Sequence, residues 1–125
     1  MIIGFGVDLV DVSRIEAEVR THGSDFARDL FSAEEIAYCE SQRHPAQHYA
    51  ARFAAKEAVF KALRADGGDG ARWREVEVAA GDDGEPQVVL HGGLAELARS
   101  RGVTRILLSL SHTRALATAS AILES

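Results

Sequence analysis

Two carboxylates and one lysine have the residue types that phosphoryl chemistry with a divalent cation requires. Asp8 is the only acid in the apolar run from Ile2 to Val10, and Glu57 and Lys61 lie one helical turn apart in a predicted helix. A carboxylate among apolar side chains stays charged only beside a cation or several hydrogen-bond donors. Mg²⁺ usually takes one or two protein carboxylates together with substrate phosphates. The three residues, followed by a glycine-rich segment, therefore indicate a magnesium and phosphate site.

Both parts of this site have a simpler interpretation. Asp8 is also a suitable strand-end acid, facing solvent or capping the next helix. Glu57 and Lys61 are also spaced as an ordinary surface pair, worth only about 0.3–0.5 kcal/mol. However, Glu57 lies about 60° from Phe60 on a helical wheel, beside an apolar stripe made by Tyr49, Phe53, Phe60 and Leu63. It is therefore placed at the edge of the core, from where it can point across to Asp8.

The segment Ser109–Thr113 ends a predicted strand and brings serine next to histidine. Alternation places Ser109 and Ser111 on the face opposite Leu108 and Leu110, and it turns Ser111 and His112 to opposite faces. The chain also has no Gly-x-Ser-x-Gly elbow. A serine nucleophile is therefore not supported, and His112 is either a turn residue or a polar group at a strand tip.

The predicted elements that position these residues make an α+β domain. Capping-box patterns, serine followed three residues later by glutamate, start helices at Ser13 and Ser32. Glycine density ends the longest helix before residues 66–70, which must form a loop. The predicted elements are strand Ile2–Val10, a helix from Ser13 to Gly23, a short turn to Leu30, a helix from Ser32 to about Ser41, the long helix Pro45–Arg64, strands Trp73–Ala80 and Gln87–His91, helix Gly93–Arg101, and strands Ile106–His112 and Ala115–Leu123. This pattern predicts one domain over residues 1–125, with about five strands and one dominant helix.

Composition excludes several classes of protein. The chain has 125 residues, 46% of them apolar and 26% charged, which is typical of a globular domain. Its net charge of −5 gives no overall electrostatic support to nucleic-acid binding. It lacks the apolar run of about 20 residues that a membrane helix needs, and its beginning does not resemble a secretory signal. The single cysteine, Cys39, excludes an intramolecular disulfide and is expected to be a packed or half-exposed thiol and not a nucleophile. We expect a cytoplasmic protein.

Three motifs in order resemble those of the holo-acyl-carrier-protein synthases, the short trimeric type of 4′-phosphopantetheinyl transferase. The segment Gly4–Val10 followed by Arg14-Ile15-Glu16 resembles the start of that family. Arg52–Ala58 with Lys61-Ala62-Leu63 resembles its signature helix, and Ser109–Thr113 resembles its third motif. The resemblance extends over essentially the whole chain. It implies the fold of that superfamily, an antiparallel sheet packed on one long helix in a single domain.

The resemblance also implies roles for individual residues. Asp8 and Glu57 correspond to the magnesium ligands, and Lys61 to the lysine that contacts the phosphates and helps the leaving group. Glu57, or a water that it orients, is a candidate base for the carrier serine, and His112 corresponds to a histidine that assists proton transfer near the nucleotide. The coenzyme A site is implied to be lined by Arg52, Phe53, Lys61, Gly67, Gly68, Ser111, His112 and Thr113.

The implied reaction is attack by the serine hydroxyl of an apo-acyl carrier protein on the β-phosphate of coenzyme A, with release of adenosine 3′,5′-bisphosphate, in fatty acid biosynthesis. The short relatives are homotrimers with active sites at the subunit interfaces. One subunit would supply Asp8, Glu57 and Lys61, and its neighbour the Ser111–Thr113 end. Arg14 is implied to contact the carrier protein. A nucleotide-binding scaffold of the same fold, and a magnesium-dependent phosphohydrolase that uses water in place of serine, are the alternatives.

Overall fold

The computed structural model describes residues 1–65 and 70–125. The strands and helices follow the predicted order closely. They are β1 (Ile2–Asp11), α1 (Val12–His22), α2 (Ser24–Leu30), α3 (Ala33–Glu40), α4 (Pro45–Leu63), α5 (Gly70–Trp73), β2 (Val76–Ala80), β3 (Pro86–Leu90), α6 (Gly92–Ser100), β4 (Arg105–His112) and β5 (Leu116–Glu124).

The strands form two antiparallel sheets. The larger sheet has the order β1-β5-β4, with Asp8 opposite Ala119 and His112 opposite Ala117. The smaller sheet pairs β2 with β3. The predicted α+β class is therefore confirmed, and the chain divides its strands between two sheets, with β3 of the smaller sheet lying next to β4 of the larger one.

Helix α4 lies at the centre of the structure. The strands β1 and β5 pack on one side of it, and α1, α3 and β2 contact it elsewhere. The apolar stripe predicted from the sequence is confirmed, since Tyr49, Phe53, Phe60 and Leu63 are all buried. The helix is also buried well beyond this stripe, because its alanines pack against the sheet. Small side chains on that face let the sheet approach the helix backbone closely.

Strand β1 touches α4 through two glycines. A Cβ atom added at Gly6 would lie 2.0 Å from the carbonyl oxygen of Ala58, and one at Gly4 would lie 2.7 Å from that of Ala62. Glycine is therefore required here by the closeness of two backbones. Because side chains alternate along a strand, Asp8 follows Gly4 and Gly6 on the face that meets α4.

The opposite face of β1 is apolar and exposed. Ile3, Phe5, Val7 and Leu9 are 41–65% exposed. Alternation along the strand puts these four side chains on one face of the larger sheet. A contiguous apolar surface of this kind is unusual on a monomer and marks an interaction site.

Two predictions about helix starts have different outcomes. The capping box at Ser32 is confirmed, because its hydroxyl accepts a hydrogen bond from the Glu35 N–H and the Glu35 carboxylate accepts one from the Ser32 N–H. The capping box at Ser13 is wrong. Helix α1 starts at Val12, so Ser13 lies inside its first turn, and Asp11 occupies the N-cap position without a side-chain cap bond.

The strand predicted from Trp73 begins later, at Val76. Trp73 closes the helical turn α5, and the Glu75 N–H donates to the Arg72 carbonyl. The Trp73 carbonyl accepts a hydrogen bond from the Lys56 side chain, so it is engaged by α4 and not by a neighbouring strand.

Two further expectations concern cysteine and membranes. Cys39 is a buried free thiol whose pKa is raised by burial to about 12, as expected for a packed residue. Within residues 1–65 and 70–125, no helix combines the length and the apolar character that crossing a membrane requires.

We expect Gly6→Ala to destabilise the protein by about 1–3 kcal/mol or more, because its methyl group would overlap the Ala58 carbonyl. Gly93→Ala is the matched control, since a Cβ there meets only the Glu75 carboxylate at 3.6 Å, an ordinary contact. Urea unfolding of both variants measures the difference. Equal stability of Gly6→Ala and the wild type would show that β1 does not lie against α4 in this way.

Candidate active site

Asp8, Glu57 and Lys61 converge where β1 crosses α4. The Lys61 ammonium donates to an Asp8 carboxylate oxygen at 3.0 Å and to the Val7 carbonyl at 3.1 Å. The predicted surface pair between Glu57 and Lys61 is replaced by this pair between Lys61 and Asp8. The Lys61 side chain is 52% exposed and that of Asp8 is 15% exposed, so the lysine lies at the mouth of the site and the acid lies inside it.

Glu57 is half-buried beside Asp8. Burial raises the pKa of its carboxyl above the usual 4.5, and the negative charge of Asp8 raises it further, while Lys61 and Arg14 oppose the increase. Two neighbouring carboxylates with restricted access to water repel each other and favour a proton or a cation between them. The position of Glu57 at the edge of the core, predicted from the helical wheel, agrees with the structure.

These carboxylates suit a magnesium ion that is completed by a substrate. No group of three or more His, Cys, Asp or Glu side chains within the described parts of the chain is arranged to hold a metal. Magnesium does not need such a group, because it retains water and accepts phosphate oxygens beside one or two carboxylates. The raised pKa of Glu57, caused by burial and by Asp8, is the observation that fits a cation at this point.

An aromatic cluster borders Glu57 on α4. Phe53 stacks on Trp73 with ring centroids 4.9 Å apart, and Phe60 meets the same indole edge to face at 5.1 Å. The Arg14 guanidinium lies over the Phe53 ring, 5.7 Å from its centre. Arg14, expected to contact a carrier protein, therefore lies close to the carboxylates, where its charge also lowers the pKa of Glu57.

A second cluster, rich in cationic side chains, surrounds the N-terminal half of α4. The His112 ring packs edge to face on His48 at 5.0 Å, and the Arg52 guanidinium lies 4.0 Å above the Tyr38 ring. Arg52 is buried, and its Nε is a buried donor without a hydrogen-bond partner among the described residues. The pKa of His48 is lowered by burial and by the charges of His112, Arg52 and His44. Such a group of donors favours an anionic ligand.

The two clusters are separate within one chain. His48 precedes Glu57 by nine residues, which is about 13 Å along a helix axis. His112 and Asp8 lie on β4 and β1, with β5 between them, which separates them by about 10 Å across the sheet. One protomer therefore does not bring His112 to the carboxylates.

The remaining predicted residues lie around the end of β4. Ser111 is exposed on the face opposite His112, as alternation predicted. The Thr113 hydroxyl accepts hydrogen bonds from the N–H groups of Ala115 and Leu116 and so closes the turn into β5. Gly67 and Gly68, predicted to contact phosphate, lie outside the described residues.

Sequence reasoning missed a buried ion pair next to Glu57. The Lys56 ammonium is completely buried and donates to a Glu35 carboxylate oxygen at 2.9 Å, to the Trp73 carbonyl at 3.0 Å and to the Val76 carbonyl. The other Glu35 oxygen accepts the Val78 N–H at 3.1 Å. The pair joins α3, α4 and the start of β2.

A signal for this pair is present in the sequence. On a helical wheel Lys56 lies inside the apolar stripe, about 60° from Phe53 and about 40° from Phe60. A cation within an apolar stripe requires a buried partner, since an unpaired charge in a core is strongly unfavourable. The sequence does not reveal which acid supplies the partner, because Glu35 belongs to a different helix.

Comparison with known proteins identifies the class. The sequence model of the 4′-phosphopantetheinyl transferase superfamily matches residues 4–119. The chain therefore belongs to this superfamily.

Within it, the similar proteins are holo-acyl-carrier-protein synthases. The synthase of Solibacter usitatus is 44% identical over 125 residues, which cover 100% of both chains. The crystal structure of the synthase from Neisseria meningitidis has a TM-score of 0.90 at 28% identity and covers 100% of each chain. The synthase from Bacillus anthracis, in complex with CoA (3′,5′-ADP), has a TM-score of 0.80 at 28% identity and covers 100% of this chain and 98% of its own.

We expect the Glu57 carboxyl to titrate above 4.5 in the metal-free protein, because burial and Asp8 both favour its protonated form. The charged form that binds a cation is then lost as the pH falls through this raised value. Asp8→Asn should shift the pKa of Glu57 down toward 4.5, while Asp11→Asn on the same strand should leave it unchanged. Carboxyl-carbon NMR measures all three. An unchanged Glu57 pKa in Asp8→Asn would show that the two carboxylates are not neighbours.

Proposed function

We propose that this protein transfers the 4′-phosphopantetheine group from coenzyme A to a serine of an apo-acyl carrier protein and releases adenosine 3′,5′-bisphosphate. The observation that carries the proposal is the convergence of Asp8, Glu57 and Lys61, joined by the 3.0 Å contact between Lys61 and Asp8 and by the effect of Asp8 on the pKa of Glu57. Membership of the superfamily over residues 4–119 supports it independently. That match also supports treating residues 1–125 as one transferase domain.

Asp8 and Glu57 are the proposed ligands of Mg²⁺. When bound, the ion supplies positive charge that stabilises the phosphate oxygens during transfer. Lys61 is exposed enough to contact the same phosphates, and its ammonium neutralises charge on the leaving phosphate. Glu57, or a water that it orients, is the proposed acceptor of the serine proton, because it lies beside the proposed position of the transferring phosphate.

The cationic cluster at the N-terminal half of α4 is the proposed place for the anionic nucleotide of coenzyme A. Arg52, His112, Ser111 and Thr113 are the residues of this part, and Phe53 and Lys61 are proposed to contact coenzyme A at the carboxylate site. The buried, unpartnered Nε of Arg52 supports an anion here, since a phosphate oxygen would satisfy that donor. Gly67 and Gly68 complete the proposed coenzyme A contacts.

We propose that the active protein is a homotrimer with its active sites between subunits. Two observations support this assembly. The exposed apolar face of Ile3, Phe5, Val7 and Leu9 needs a covering surface. The separation of His112 from Asp8 and Glu57 within one chain leaves each half of the site without the other, and a neighbouring subunit in a cyclic assembly can supply the missing half.

The substrates place the reaction in a pathway and a compartment. Phosphopantetheine carries acyl groups on its thiol, so we assign the reaction to fatty acid biosynthesis. The buried free thiol of Cys39 is compatible with a reducing compartment, and we propose the cytoplasm. Carrier binding is proposed to involve Arg14, which lies beside the carboxylates over the Phe53 ring.

The direct test is to incubate the protein with Mg²⁺, coenzyme A and several apo-acyl carrier proteins and to weigh the carriers. We expect a mass gain of one phosphopantetheine, lost when Mg²⁺ is chelated. Asp8→Asn and Glu57→Gln should reduce the rate at least about 100-fold, since each removes a group that acts on the transferring phosphate.

Asp11→Asn and Glu96→Gln are the matched controls, on β1 and α6, and should transfer at the wild-type rate. Absence of a mass gain on every carrier would reject the transfer. Breakdown of coenzyme A without any carrier would instead indicate a phosphohydrolase, and binding without either reaction would indicate a nucleotide-binding scaffold.

The shared site makes a quantitative prediction for mixed trimers. Glu57→Gln inactivates the carboxylate half of each site, and His112→Ala inactivates the histidine half. Each variant alone is therefore weakly active. A mixed trimer holds two chains of one variant and one of the other, so only one of its three sites receives both intact halves. Purified mixed trimers should therefore regain about a third of the wild-type activity.

Co-expression of the two variants with different tags, followed by two-step purification, isolates the mixed trimers. The control is a mixture of Glu57→Gln with Asp8→Asn. Both substitutions inactivate the carboxylate half of the site, so this mixture should regain no transfer activity. No recovery in the first mixture, or an active monomer by size analysis, would reject the site between subunits.

A further inference from the structure

Lys56 satisfies its buried charge largely with the backbone that leads into β2. Two of its three acceptors are the carbonyls of Trp73 and Val76, and the third is the Glu35 carboxylate. Glu35 is itself held by the N–H groups of Ser32 and Val78. A buried ammonium with three acceptors is bound strongly to all of them, because water cannot replace any one of them. The segment from Trp73 to Val76 is therefore held against α4 at the level of Lys56 along the helix axis.

The segment attached in this way carries the indole that borders the carboxylates. Trp73 offers its carbonyl to Lys56 and packs its ring on Phe53 and Phe60. On the helical wheel, Lys56 and Glu57 lie about 100° apart, on either side of these two phenylalanines. The Trp73 ring thus packs on the two side chains that separate Lys56 from Glu57 on the surface of α4.

A displaced indole would change the surroundings of Glu57. Glu57 is half-buried, and the nearest large apolar groups on α4 are Phe53, one turn before it, and Phe60, three residues after it. Both are covered by Trp73. A site with little water strengthens every electrostatic contact with a phosphate.

We propose that Lys56, with Glu35, is a positioning residue of the transfer reaction: its ammonium holds the Trp73 backbone so that the indole seals the carboxylate site against water. Lys56 itself touches no substrate, because it is completely buried behind the indole. This inference rests on the proposed transfer activity and adds to it a residue outside the metal and coenzyme A contacts.

Trp73 is the single tryptophan of the chain, so its fluorescence reports directly on the indole. We expect Lys56→Met to shift the emission of Trp73 to longer wavelength and to increase its quenching by acrylamide. In the carrier assay, kcat should fall about tenfold or more while the KM for coenzyme A stays within about threefold, since the groups that contact the nucleotide are unchanged. A merely structural role would lower the stability and could move the indole, but it would leave the ratio of these constants unchanged in the folded protein.

Three further variants identify the route of the effect. Lys56→Met combined with Glu35→Gln removes both charges, so no carboxylate is left buried without its partner, and it should show the same spectral and kinetic changes. Trp73→Ala should lower kcat by a similar factor. Lys56→Met made in the Trp73→Ala background should then have little additional effect on kcat, because the residue through which it acts is gone.

Leu97→Ala on α6 is the control for general loss of stability. All assays are run well below the lowest melting temperature, where this control should keep the wild-type emission and kcat. Wild-type emission and kcat in folded Lys56→Met would overturn the proposal, as would an additive loss in the double background. If neither Lys56 variant folds, Trp73→Ala decides, and an unchanged kcat there overturns the proposal.

Failure of the proposed function remains distinguishable from failure of this inference. A wild-type protein that modifies no carrier rejects the transfer, whereas the emission of Trp73 in the Lys56 variants still reports whether the ammonium holds the indole. A transfer-active wild type with an unmoved indole in those variants rejects only the positioning role.

Discussion

The direct contact between β1 and α4 is the constraint on which the rest of the structure depends. Gly4 and Gly6 let the strand lie against the helix backbone, where a single added Cβ would meet a carbonyl oxygen. This closeness brings Asp8, two residues further along the same face, within 3.0 Å of Lys61. A larger residue in β1 would move the strand outward and separate the acids that the site needs together. The glycines of this strand therefore matter because they lack a side chain and allow the two backbones to come close, and not because they are flexible.

The helix α4 distributes its polar side chains in three directions. Arg52 points toward Tyr38 and the cluster of histidines, Lys56 points into the core toward Glu35, and Glu57 faces Asp8. On a helical wheel, the aromatic side chains of Phe53 and Phe60 lie between Lys56 and Glu57. A helix that is buried on most of its surface can hold such groups at fixed positions, because packed neighbours leave each of them few alternative rotamers.

Under the proposed assembly, this short chain presents half of a site at each of two places. The carboxylates and Lys61 lie at the crossing of β1 and α4, whereas His48 and His112 meet near the start of α4. The exposed apolar face of β1 lies on the opposite side of the sheet from α4. Assembly through such a face would complete the sites and bury the apolar residues at once, so stability and activity would depend on the same interface.

The sequence by itself determined the element order, the long helix and the capping box at Ser32, and it singled out Asp8, Glu57 and Lys61 as candidates for a site. These features are local: helical periodicity, glycine density and side-chain alternation are set by neighbours in the chain. It also placed Glu57 at the edge of the core, since a helical wheel needs only the spacing. The start of α1 differed, because Asp11 and Ser13 are both acceptable local signals and the end of β1 decided between them. The late start of β2 could not be predicted locally either, because the Trp73 carbonyl accepts a hydrogen bond from Lys56, 17 residues earlier in the chain.

Only the tertiary structure decided which charges meet. Lys61 pairs with Asp8, 53 residues away, and not with Glu57 on its own helix. Lys56 pairs with Glu35 across 21 residues, and His112 packs on His48 of α4 and not beside the carboxylates. Several acids are chemically equivalent as partners for each lysine, and the chain selects among them only when close packing brings particular strands and helices together. The residue types that could carry the chemistry can thus be identified from the sequence. Which of their side chains form pairs depends on how closely β1 approaches α4.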